Sequence, residues 1–202
     1  MKRLLLLVTM LVIFGLLSQA EAQDVQIVSF DLTAVPSIVN CLAQFPGDAT
    51  RPPTAHVTVM RNKLNDFMTI RLRHIKPHLA FDLFTVQRSR FNADGTLVNP
   101  FSNFGLAWYQ SDLEVNDFGI GFAQIRTILL DQIFGFDPDV SLPPTNTFHV
   151  GFWFNNPADA SACGFTGTTP FNGEHNAGPL AMISLPHPVT GLGPLCTKAS
   201  CP

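Results

Sequence analysis

Charge is scarce in this chain. Asp, Glu, Lys and Arg make up 13% of its 202 residues, and the formal net charge is −3. That balance excludes the basic patch a nucleic-acid partner requires. The basic residues that do gather, Arg71, Arg73 and Lys76 with Arg88 and Arg90 beyond them, alternate with apolar positions as water-facing strand residues do. Tyr109 is the one tyrosine, and Trp108 and Trp153 are the two tryptophans, against 18 phenylalanines. Phenylalanine offers no hydrogen bond, so this aromatic set builds core or sticky surface rather than sugar-stacking platforms. The chain also lacks a Gly-x-Ser-x-Gly elbow, a phosphate-cradling glycine loop, a dinucleotide fingerprint and any Cys-x-x-Cys pair. These absences remove the common routes to serine catalysis, nucleotide binding and a cysteine metal site.

One long apolar run exists, Leu4 to Leu17, preceded by Lys2 and Arg3 and followed by Ala20-Glu21-Ala22. This order predicts a signal peptide over residues 1–22, with a mature chain starting at Gln23. A run of about 14 residues falls short of the roughly 20 that cross a bilayer as a helix. The expectation is therefore a secreted or periplasmic protein with no membrane span after cleavage. In such a compartment four cysteines, Cys41, Cys163, Cys196 and Cys201, predict two disulfides. Three pairings are open. Cys41 with Cys163 and Cys196 with Cys201 is the preferred one, because the last two close a small loop.

The mature part reads as short strands separated by turns. Val25–Leu32 and Ala55–Met60 are rich in β-branched residues. From Met68 to His74, Met68, Ile70 and Leu72 alternate with Thr69, Arg71 and Arg73, which demands one buried and one wet face. Leu79–Gln87 is too apolar on both sides for an edge. Asn92-Ala93-Asp94-Gly95 is a turn. Further strands are expected at Phe104–Tyr109, Phe118–Ile128, Thr147–Phe154 and Leu180–Leu185, with a short helix near 124–134 where Ile125, Ile128, Leu129 and Ile133 fit a helical face. In Thr147–Phe154, Phe148, Val150, Phe152 and Phe154 fall on one side and His149, Gly151 and Trp153 on the other. Seven or eight such strands predict an all-β fold, an antiparallel β-sandwich over residues 23–188 followed by a Pro/Gly/Cys-rich tail over 189–202.

The histidines hold most of the remaining chemical interest. His74 and His78 are separated by Lys76-Pro77, which breaks any helix that would align them, and His56 belongs on the wet face of its strand. Paired carboxylates at Asp112 and Glu114, and at Asp137 and Asp139, read as turn residues. The order Phe148-His149-Val150, Cys163-Gly164, Phe171-Asn172, His175, Gly178-Pro179 resembles the active-site loop of copper/zinc superoxide dismutases over residues 147–179. That resemblance implies a disulfide-stapled, exported β-sandwich, and it carries over His149 and His175 as metal ligands. It stops at Gly151 and Pro170, where the family has histidines, and no later His or Asp ligand follows Gly178. Two ligands do not hold a redox copper, so dismutase activity is not expected.

Two functional expectations follow. The leading one is an exported β-sandwich that binds an unknown protein partner or self-associates, without catalysis and without a cofactor. The alternative is a zinc or copper site built from His149, Glu174, His175 and His187. Against that alternative stands a loop in which Asn172 and Asn176 hydrogen-bond their own backbone and leave Glu174 and His175 in solvent.

Overall fold

A computed structural model describes residues 26–62, 65–126, 147–169 and 176–196. The expected signal peptide, the 127–134 part of the expected helix, Asp137, Asp139, Glu174, His175 and Cys201 lie outside the described residues. Among the described residues nine strands form the fold: β1 (Gln26–Ala34), β2 (Thr54–Arg61), β3 (Phe67–Arg73), β4 (Ala80–Val86), β5 (Ala107–Glu114), β6 (Gly121–Arg126), β7 (Thr147–Phe154), β8 (Leu180–Ser184) and β9 (Leu195–Cys196). One α-helical turn, α1 (Val39–Leu42), and two 3-10 segments, Pro36–Ile38 and Pro157–Cys163, complete the described elements.

The fold is all-β, and every strand pairing is antiparallel. A continuous path runs β5-β4-β7-β8-β1-β2-β3-β6, with β9 added beside β7. The path curls over until its two ends meet at a bridge between Val115 and Gly121, giving a sandwich-like, nearly closed barrel. Alternation decides what points inward. In β3, Met68, Ile70 and Leu72 are buried while Arg71 and Arg73 are exposed, as the sequence pattern predicts. The inner core joins Val57, Ile70, Leu83, Phe81, Phe152 and Phe154 among others. Phe81 meets Phe152 and Phe154 edge-on, with ring centroids at 4.8 and 5.2 Å.

A second core lies outside the barrel wall. Val86, Phe91, Trp153, Leu180 and Ile183 cluster there, with Phe84 and Phe104 packed against them. The two sides of β7 expected from sequence therefore go to two different cores, and both are buried. Phe104 explains a displaced strand. The expected strand at Phe104–Tyr109 forms instead over Ala107–Glu114, because Phe104 is taken up by the ring of Trp153, centroids 5.0 Å apart. Backbone bonds from Gln87 N to Leu106 O and from Arg88 N to Phe104 O hold that loop in place.

Residues 124–126, inside the strand expected at Phe118–Ile128, belong to β6, whose backbone pairs with β3 from Phe67–Arg126 to Leu72–Gly121. Helix α1 lies in the connection between β1 and β2. Cys41 on α1 is bonded to Cys163 at the end of the second 3-10 segment, 122 residues away in sequence. Cys196 is also disulfide-bonded.

Candidate functional site

His149 shows how the fold disposes of the residue most suggestive of chemistry. It sits on the outer side of β7, opposite Val86 of β4, at 2% exposure. Its Nδ1 lies 3.1 Å from the Ser184 carbonyl and 3.0 Å from Ser184 Oγ. A carbonyl only accepts, so Nδ1 carries the hydrogen in that contact. Ser184 Oγ accepts from Val150 N, and Ser89 Oγ donates to Ser184 O at 2.8 Å. Burial pushes the His149 pKa down to about 4, partly opposed by the bond to the Ser184 backbone. Ser184 with His149 has the distance of a nucleophile and its base, yet Ser184 is 1% exposed and no substrate reaches it. Together they form a satisfied polar knot beneath the second core.

His187 lies on the surface, and its Nδ1 accepts from Val189 N and Thr190 N, both at 3.3 Å. It caps its own loop. His74 and His78 both adopt left-handed backbone (φ 57° and 64°), His74 bonding Pro52 O and His78 standing 3.3 Å from Asp117. Among the described residues no three His, Cys, Asp or Glu side chains come together as a metal site would require. The four-residue set His149, Glu174, His175 and His187 thus has two members described, one locked inside the wall and one capping a loop.

Asp112 and Glu114, expected in a turn, stand instead on β5. A bulge between Leu83 and Phe84 leaves Gln110 without an opposite residue and turns Tyr109 and Asp112 to the same side, where the phenol donates to the carboxylate at 2.6 Å. Asp112 faces the buried Asp82, whose carboxylate accepts from Asn155 Nδ2. Asp112 is thus held in a hydrogen bond along the wall, while Glu114 is exposed at its end.

What remains open is the outer side of β1, β2, β3 and β6. Register places its side chains in three rows across the strands. Ile27, Met60, Phe67 and Arg126 form the first. Ser29, Thr58, Thr69 and Gln124 form the second, in which Ser29 Oγ and Thr58 Oγ1 are 3.0 Å apart. Asp31, His56, Arg71 and Phe122 form the third, where His56 Nδ1 meets Asp31 at 2.7 Å and the Arg71 guanidinium stands 5.1 Å over the Phe122 ring.

The apolar part of this face continues into the β5–β6 turn. Asn116 Oδ1 accepts from Phe118 N and Ile120 N, and Gly119, at φ +73°, leaves no space for a side chain against Gln44 and the Ile75 carbonyl. The turn thereby presents Phe118 at 77%, Ile120 at 48% and Phe122 at 50% exposure, all on alternate positions. Phenylalanine count pointed to sticky surface in general; the positions were not legible, because exposure depends on which strands receive a covering loop. No helix among the described residues is long and apolar enough to cross a membrane. No protein-family model, curated protein or solved structure was found to match this chain.

Proposed function

We propose that this chain is an exported, disulfide-stabilised protein that acts by binding or extracellular assembly through the outer face of β1, β2, β3 and β6. The observation that carries the reading is the exposed line of Phe118, Ile120 and Phe122 bordered by Arg71 and Arg73. A soluble domain normally covers large apolar side chains, and a contiguous exposed group of them marks a contact surface. The apolar leader and the even cysteine count support export; the buried state of His149 and Ser184 removes the nearest candidate for catalysis.

A photo-cross-linking residue at Thr58, in the middle row, tests the reading in the producing cell. Adducts from Thr58, and none from an equivalent probe at Thr190 in the exposed loop near the C-terminus, are the expected result. Absence of adducts from Thr58 would remove the face from consideration. Turnover of an ester, glycoside or superoxide by the pure protein would sink the non-catalytic reading.

A further inference from the structure

The two ends of the sheet are not equivalent edges. β5 carries a bulge at Gln110 and outward carboxylates at Asp112 and Glu114, devices that blunt an edge against pairing. β6 carries neither. It alternates regularly from Gly121 to Arg126, with Arg126 its one charge. On one side β6 is hydrogen-bonded to β3; on the other, among the described residues, the Val115–Gly121 bridge is its one pairing. Beyond that bridge every second residue of β6 turns its backbone N–H and C=O toward the seam. The barrel is also incompletely closed there. Ala123 and Ile125 point inward from β6, yet remain partly exposed, whereas Val57, Ile70 and Leu83 in interior strands are fully buried.

We propose that this edge is a dimerisation seam, in which two copies of the chain pair antiparallel along β6 with Gln124 facing Gln124 of the second copy. The strand is complementary to itself in that register. Ala123 falls opposite Ile125 of the second copy on the inner side, so two incompletely covered apolar positions cover each other. Phe122 falls opposite Arg126 of the second copy on the outer side. This repeats the pairing β6 already makes with β3, where Arg71 is opposite Phe122 and Phe67 is opposite Arg126. A cation falls opposite an aromatic residue at each position, and no like charges oppose each other. A strand from an unrelated protein would have no reason to share this palindrome of aromatic, small, amide, apolar and basic residues.

The inference rests on the assembly reading above and names its partner as a second copy of this chain. The test is sedimentation of the full, disulfide-intact protein. The native chain is expected to sediment as a dimer. Gln124→Lys and Gln124→Glu, each placing like charges across the two-fold axis, are expected to be monomers that keep the native far-UV circular dichroism spectrum and lose the concentration dependence of the unfolding midpoint, and an equimolar mixture of the two should regain the dimer. Gln124→Cys should form an interchain disulfide on oxidation, while Thr190→Cys, in the exposed loop near the C-terminus, should not. A native chain that stays monomeric, or a dimer indifferent to both charge variants, would overturn the seam. A monomer would leave binding to another protein standing, whereas enzymatic turnover would remove the binding reading without touching the seam.

Discussion

Strands β7 and β6 belong to one sheet and both alternate in side-chain direction, yet β7 is buried on both sides while β6 is partly covered on its inner side and open on its outer one. The difference does not arise in the strands alone. Over β7 lie the loop containing Phe91 and Phe104, the Ala177–Leu180 segment, and a C-terminal strap whose Leu195 and Cys196 add β9 to its start. Arg61 Nη1 donates to the Cys196 carbonyl from the end of β2, which ties the strap across the barrel end. Over β6, among the described residues, no such cover lies, and Phe122 stays half in water with Arg71 above it. A wall covered on both sides supplies stability; the wall covered on one side is the one proposed for contact.

The sharpest way to test this contrast is to truncate one phenylalanine on each wall. Phe152→Ala should cost about 3–5 kcal/mol, since it opens a cavity beside Phe81 in a packed core. Phe122→Ala should cost less than about 1 kcal/mol, the loss of one exposed cation–π contact. Urea unfolding of both variants gives the two numbers, and equal costs would break the comparison.

Acid should find the covered wall next. Above the ordinary histidine pKa of 6.5, His149 is neutral folded and unfolded. Between 6.5 and about 4 the unfolded chain binds a proton that the folded chain refuses, so stability falls as pH falls through that window. The full effect is about 3 kcal/mol, at about 1.4 kcal/mol per unit of pKa shift. A His149→Gln variant should show a correspondingly flatter stability profile between pH 7 and 4. An unchanged profile would mean His149 is not the buried titrating group.

Gly193 sharpens the role of the strap. A methyl group there would run into the Phe148 carbonyl and the His149 ring, so Gly193→Ala should cost about 1–3 kcal/mol. Hydrogen exchange should accelerate at Leu195 and Cys196 while the β2–β3 ladder keeps its protection. The smallest effect belongs to the open wall again. A double-mutant cycle on Asp31 and His56, whose side chains are 84% and 51% exposed, should return no more than about 1 kcal/mol, diminishing with salt.

Several elements were legible from local pattern alone. The alternation of Met68, Ile70 and Leu72, the Asn92–Gly95 turn with its Gly95 N to Asn92 O bond, and the limits of Thr147–Phe154 all depend on neighbours in sequence. Misplaced elements depended on distant partners. Phe104 reads as strand because it is aromatic, but Trp153 claims it from 49 positions along the chain. His149 was legible as an unusual residue and not as a buried one, since nothing in Phe-His-Val says that Ser184 will stand beside it.

By itself the sequence determined the all-β class, most strand positions and which side chains of each strand share a face, because a period of two is a property of the backbone. Tertiary structure alone decided which faces are covered, that His149 is locked against Ser184, and that β6 ends the sheet beside an unequal partner. Those outcomes come from where loops and the C-terminal strap land, and that is set by packing between residues far apart in the chain.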